Sequence, residues 1–242
     1  MNQRIGIGAR DYLAVVALGA ALLAPPAAAA AAQTYNAAAQ RGRDSLRAGD
    51  ASAARESFQR AFELTDQVGS KAAALFGVGA SYELEKAHEQ ARQVYGRIRD
   101  LPGADQDPVL LARVQWSVAL THHQEGERRK AVDALALLQG MAGVGPEMAS
   151  DAWHYTGDNL KALGRYPEAL KAYGRELEVA GNPVFHRSRA LLEMADTYCR
   201  AHDLQAALDT YAKVLPLKPI PIRHRSLARH EMERIRAELA KQ

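Results

Sequence analysis

Cysteine is almost absent from this 242-residue chain, which contains only Cys199. A single thiol cannot close a disulfide within the chain, so packing has to supply the stability of the fold. Aromatic residues are also few, at 6% of the sequence, and charged residues make up 24% with a formal net charge of only +3. Basic and acidic residues are interspersed along the chain, which disfavours a nucleic-acid binder with one cationic face.

Catalytic motifs are missing as well. The sequence contains no H-E-x-x-H, no G-x-S-x-G and no glycine-rich phosphate loop outside the first residues. We therefore predict that the protein is not an enzyme, with no catalytic residues, no cofactor and no metal site.

The first 32 residues differ in composition from the rest of the chain. A basic start with Arg4 and Arg10 precedes an apolar run over 12–23 and an alanine-rich stretch over 27–32. This order is typical of a cleaved secretory signal peptide. No cysteine follows for acylation, so we expect a periplasmic or secreted protein rather than a lipoprotein. No apolar run of about twenty residues follows the leader, and we expect no transmembrane segment in the mature chain.

The remaining sequence repeats one pattern of small and large residues. An alanine recurs at spacings of 37, 40, 38 and 38 residues, at Ala54, Ala91, Ala131, Ala169 and Ala207. The clearest copy lies between Trp153 and Leu177, where two amphipathic helices are predicted on either side of a turn at 164–167. This unit resembles the tetratricopeptide repeat, a helix-turn-helix of about 34 residues. The residues that match positions 4, 8, 11, 20 and 24 of that repeat are Trp153, Gly157, Leu160, Ala169 and Tyr173.

The resemblance implies an all-α fold, namely a right-handed superhelical solenoid of about five such repeats with a C-terminal capping helix. The solenoid is expected over 33–222, and its repeats near 35–66, 72–101, 111–138, 150–181 and 187–219. In the last segment, 223–242, an amphipathic helix is expected to cover the open apolar end with Leu227, Ile235 and Leu239.

In the tetratricopeptide family, ligands usually bind in a concave groove lined by the first helix of each repeat. Carried over position by position, the predicted groove residues are Phe76, Arg113, Trp116, Leu120, His123, His154, Asp158, Lys161, Arg189, Leu192 and Asp196. We expect Trp116 to be exposed and to anchor a peptide together with Phe76, Leu120 and Arg113. The carboxylate clamp of some family members is not reproduced, because Ala39 and Arg43 stand at its positions.

These features predict a non-enzymatic protein–protein interaction scaffold or adaptor of the bacterial cell envelope, which binds a peptide or protein segment and no nucleic acid. Two alternatives remain open at this point. One is a periplasmic module that binds a glycan or a metal through Trp116, His123, His154 and Asp158, with the two histidines facing each other across adjacent repeats. The other is a structural protein that assembles with itself into homo-oligomers.

Overall fold

The structure is a computed structural model that describes residues 26–241. The predicted leader up to residue 25 lies outside the described residues. The chain divides into two compact units, one ending at Ala87 and the other beginning at His88. The described residues form helices and no strand, and none of these helices is long and apolar enough to cross a membrane.

The N-terminal unit contains three described helices, α1 (Pro26–Ala48), α2 (Ala51–Glu63) and α3 (Val68–Leu84). Its centre is the buried ring of Phe58 on α2. A Cβ atom added at Gly42 of α1 would lie 2.8 Å from that ring, and one at Gly77 of α3 would lie 2.5 Å from it. The two glycines therefore allow both neighbouring helices to pack directly on the aromatic ring.

The C-terminal unit contains eight described helices and one short 3-10 helix at Ala104–Gln106. The helices are α4 (His88–Arg99), α5 (Pro108–Glu125), α6 (Arg128–Gln139), α7 (Pro146–Ala162), α8 (Tyr166–Glu178), α9 (Val184–Arg200), α10 (Leu204–Ala212) and α11 (Ile222–Leu239). Helices α5 and α6, α7 and α8, and α9 and α10 pack as consecutive antiparallel pairs, and α11 packs on the last pair. The predicted all-α class, with helix-turn-helix repeats and a capping helix, is confirmed.

The recurring alanine is completely buried in every repeat. All five of these alanines are 0% exposed. Four residues later along each second helix stands a large side chain that is at most 4% exposed, namely Phe58, Tyr95, Leu135, Tyr173 and Tyr211. In the fourth repeat a Cβ atom at Gly157 would lie 2.4 Å from the ring of Tyr173, so this position excludes any side chain. In this repeat Gly157 and Tyr173 are thus the small and the large half of one contact between the two helices.

The turn inside each repeat requires a left-handed backbone. Five residues before each recurring alanine the angle φ is positive, with values of 80°, 59°, 81°, 73° and 60° at Gly49, Lys86, Gly126, Gly164 and His202. Glycine adopts this conformation freely, whereas a side chain there costs about 1–2 kcal/mol. The N-cap aspartates of the next helices shorten the same turns; the carboxylate of Asp50 accepts a hydrogen bond from the backbone N–H of Ala53 at 2.9 Å.

The C-terminal helix packs on the last repeat, but the residues of its buried face differ slightly from those predicted. Ala228, Met232 and Ile235 are buried against the apolar cluster of α9 and α10. Leu227, which we predicted to share this face, is 46% exposed. The reason is geometric: Leu227 stands one residue before Ala228, so its side chain points about 100° away from the buried stripe.

The turn geometry gives a stability prediction with opposite signs at two glycines of the same repeat. Gly164→Ala should destabilise the protein by about 1 kcal/mol, because φ is +73° at this position. Gly174→Ala should stabilise it by about 0.5–1 kcal/mol, because Gly174 lies inside α8 and a Cβ atom there would meet nothing within 4 Å. Urea unfolding followed by circular dichroism checks both. A Gly164→Ala variant as stable as the wild type would contradict the assigned turn.

Candidate functional site

Three first helices of the C-terminal unit, α5, α7 and α9, bring most of the predicted groove residues together. Ten of them lie on these helices, and Phe76 lies on α3 in the N-terminal unit, where it is half-buried. We use the name first-helix face for the side chains of α5, α7 and α9 that meet one another between consecutive repeats. They form an aromatic part between α5 and α7 and a charged part between α7 and α9.

The aromatic part is built around Tyr155, a residue that the sequence analysis missed. Its ring packs edge-to-face against Trp116, with centroids 5.5 Å apart, and against His123, with centroids 4.9 Å apart. The ring nitrogen Nδ1 of His123 lies 3.1 Å from the side-chain oxygen of Asn159. Tyr155 thus joins two predicted groove residues of α5 to α7.

Trp116 corrects one expectation. It is half-buried rather than exposed, because it packs on the apolar cluster of Ala112, Ala119 and Ala152 and on Tyr155. Leu120 is half-buried as well, and Arg113 is exposed. Trp116 therefore contributes to the stability of the repeat as well as to the surface of this face.

His154 does not face His123 across the adjacent repeats, as the metal-binding alternative requires. It is only 7% exposed. Its Nδ1 lies 3.0 Å from the carboxylate of Glu176, and its Nε2 lies 3.5 Å from the carboxylate of Asp158. His123 is hydrogen-bonded to Asn159 instead. The interpretation in which His123, His154 and Asp158 surround one metal is therefore wrong.

A different group of possible metal ligands exists at the end of α5. Within residues 26–241, the side chains of His122, Glu125 and Glu127 place ligand atoms within 4.8 Å of one another. Each carboxylate already has a cationic partner, since Glu125 pairs with Arg92 at 2.6 Å and Glu127 with Lys130. This group is accounted for as surface ion pairs.

Glu176 is the most unusual residue of the unit, since its side chain is 0% exposed. It stands seven residues after the recurring alanine, a position held in the other repeats by the completely buried Ala61, Ile98, Leu138 and Val214. The carboxylate accepts a hydrogen bond from Nη2 of Arg189 on α9 at 2.8 Å, and Arg189 also donates to Asp151 on α7 at 2.8 Å. Burial alone would lower the pKa of Arg189, but Glu176 and Asp151 outweigh it and raise that pKa. The buried charge is thus stabilised by a predicted groove residue.

A second ion-pair cluster joins α7 and α9 further along the same face. Nζ of Lys161 contacts Glu193 and lies 3.0 Å from Asp196, which also accepts from Nε of Arg200 at 2.9 Å. Burial opposes the charge of Lys161, but Glu193 and Asp196 raise its pKa above the ordinary value. Burial raises the pKa of Asp196, but Arg200 and Lys161 outweigh this effect and lower the pKa below its ordinary value. Lys161 and Asp196 therefore hold the repeats together in addition to lining the face.

The hydroxyl of Tyr173 completes the charged part. It donates a hydrogen bond of 2.6 Å to Asp158. Burial, and then the charge of Asp158, raise the pKa of Tyr173 far above its usual range. The tyrosine therefore remains a neutral donor, and Asp158 is held in place by one residue of α8 and one of α7.

The fold and this face define a helical-repeat protein of the tetratricopeptide type. No protein-family model and no curated protein matches the chain. PilF of Pseudomonas aeruginosa superposes with a TM-score of 0.59 at 16% identity, over 88% of this chain and 93% of PilF. MamA gives 0.55 at 18% identity, over 76% and 91%. YrrB, described as a TPR protein with an unusual peptide-binding site, gives 0.53 at 17% identity, over 79% and 88%. The predicted tetratricopeptide resemblance is thus confirmed as the fold.

The buried pair gives a stability prediction. Arg189→Met should cost about 3–5 kcal/mol, because it leaves the carboxylate of Glu176 buried without its cation. The double variant Arg189→Met, Glu176→Leu should cost less than this single change, since the equivalent position is apolar in every other repeat. Denaturant unfolding of the wild type, the two single variants and the double variant measures the coupling free energy of the pair.

The matched control is Arg175→Met, which removes an exposed pair with Glu178 on the same helix and should cost about 0.5 kcal/mol or less. Additive costs in the double variant would show that Glu176 and Arg189 do not act as a pair.

Proposed function

We propose that the protein is a non-enzymatic scaffold or adaptor that binds a peptide or protein segment on its first-helix face. The observation that carries this proposal is the aromatic row of Trp116, Tyr155 and His123 on two successive first helices. Trp116 and His123 stand at positions where the tetratricopeptide family binds ligands, and Tyr155 packs on both. Burial of such rings stabilises a complex by about 25 cal/mol per Å² of apolar surface removed from water. YrrB, a TPR protein with an unusual peptide-binding site, has this fold, and this supports a peptide ligand.

The ion pairs favour an aromatic anchor over a charged one. Lys161 and Arg189 each already contact two carboxylates. A ligand that recruited either cation would first have to break these pairs, which offsets the gain. The aromatic row involves no such loss, and it therefore supplies the principal contact in this proposal.

The cellular site of this scaffold is proposed to be the bacterial envelope. The support is the leader in the sequence, with its basic start, short apolar run and alanine-rich end. Cleavage would release the helical repeats into the periplasm or the medium, where a protein without an internal disulfide depends on the packing described above.

Binding is tested by Trp116→Ala, which should weaken capture of envelope proteins by the purified chain at least tenfold. Its matched control is Trp153→Ala. Trp153 is also half-buried, but it packs on the cluster of Leu160, Ala169, Ala172 and Tyr173 rather than on the aromatic row. Both variants should lose stability, by about 3–5 kcal/mol at most, so capture is compared at a temperature where circular dichroism shows both to be folded. Equal capture by the two variants would contradict the proposed binding role of Trp116.

Export is tested by expressing the full chain in a Gram-negative host. The periplasmic protein should begin within or just after the stretch 27–32, as read by mass spectrometry of its N-terminal peptide. Leu18→Arg, which interrupts the apolar run, should leave the uncleaved chain in the cytoplasm, whereas Arg10→Lys should be processed normally. Full processing of the Leu18→Arg variant would contradict the leader.

A further inference from the structure

A cleft of about 250 Å³ opens between α9, α10 and α11, at the end of the first-helix face. One side of it is apolar and consists of Leu192 on α9, Tyr211 on α10 and Leu227 on the C-terminal helix. A cavity of about 150 Å³ already accommodates a benzene ring, so this cleft has room for one long side chain. Leu192 is also one of the predicted groove residues, which places the cleft in continuity with the face described above.

The other side of the cleft is charged. Three carboxylates line it, those of Glu193, Asp196 and Glu231, together with one guanidinium, that of Arg234. Two further cations, Lys161 and Arg200, pair with Glu193 and Asp196 from outside the lining, and Arg234 also pairs with Glu238. Four carboxylates thus share three cations, which leaves this cluster one negative charge in excess.

Two uncharged groups line the cleft, and burial is the largest cause that raises the pKa of the Cys199 thiol and of the Tyr211 hydroxyl. For Tyr211, Glu231 and Asp196 raise the pKa further, each by more than Arg234 lowers it. For Cys199, Arg234 lowers the pKa by more than either carboxylate raises it. The uncompensated carboxylate of the cluster is therefore the feature that a positively charged ligand would neutralise.

Arg234 is the cation that pairs with the carboxylate of Glu231 in the cleft when no partner is bound. Its Nε donates to Glu231 at 2.8 Å, and its Nη1 donates to Glu238 at 3.3 Å. The side chain of Arg234 is 48% exposed, whereas that of Glu231 is only 21% exposed. An incoming cation can therefore take the place of Arg234 on Glu231 while Arg234 keeps Glu238 as its partner.

We infer that the partner segment inserts a lysine or arginine side chain into this cleft. The methylene stem would pack on Leu192, Tyr211 and Leu227, and the charged head would pair with Glu231. This gives Leu227, an exposed leucine of the capping helix, an apolar contact in the complex. The inference rests on the proposed function, since it specifies the chemistry of the segment that the first-helix face binds.

The test is selection of a random twelve-residue peptide library on the purified chain, followed by fluorescence anisotropy on the selected peptides. These should be enriched in lysine or arginine, and replacement of that residue by norleucine should weaken binding at least tenfold. Glu231→Gln should weaken binding at least fivefold. The matched control Glu233→Gln should change it less than twofold, because Glu233 is an exposed carboxylate of the same helix that does not line the cleft.

A second measurement locates the peptide. Cys199 is the only thiol of the chain and lines the cleft. A bound peptide should therefore slow its reaction with a disulfide reagent, and the norleucine peptide should not do so at the same concentration.

The outcomes separate the two proposals. Selected peptides without basic enrichment, or with equal affinity for the Glu231→Gln variant, overturn the assignment of the cleft. If those peptides still lose affinity for the Trp116→Ala variant, the first-helix face stands as a peptide site. A library that yields no binding peptide overturns both.

Discussion

The close approach of two helices within a repeat is the constraint on which the rest of the structure depends, and it is present in the pairs α1–α2, α5–α6, α7–α8 and α9–α10. It is achieved by pairing a residue with almost no side chain against a large one, as in the contact between Gly157 and the ring of Tyr173. The recurring alanine of each pair is 0% exposed, so neither helix can move outward without opening a cavity. Because this contact fixes the rotation of each first helix, it also decides which side chains that helix presents to the next repeat.

The repeat length then determines which residues meet. Side chains of successive first helices contact each other at sequence separations close to one repeat: 36 residues for His123 and Asn159, 35 for Lys161 and Asp196, and 38 for Asp151 and Arg189. A position on one first helix therefore faces nearly the same position on the next. This is why a surface assembled from single residues of three helices is continuous across the repeats that contribute to it.

Much of the fold follows from the sequence because its signals are local and repeated. The alanines, the large residues four positions later and most of the left-handed turns fall at fixed intervals, and glycine marks three of the five turns. The candidate site can be predicted from the sequence only in part. Helical periodicity places Trp116 and His154 on the correct helices, but their burial depends on Tyr155 and Glu176, which belong to other helices. Contacts between elements are set by packing of the whole unit, which a periodic pattern does not contain.

Departures from the repeat pattern are nevertheless visible in the sequence, and they lie where the structure is most specialised. A glutamate replaces the apolar residue in the fourth repeat, and α9 of the fifth repeat places Arg189 on that glutamate. The same helix carries Glu193 and Asp196, which contact Lys161 on one side and line the cleft on the other. Buried ion pairs contribute little net stability compared with apolar packing, so stability alone does not account for Glu176 at a position that is apolar in the other repeats. Helix α9 is thus the element at which the regular pattern gives way to specific charges, and it joins the buried pair to the cleft that we assign to a basic ligand.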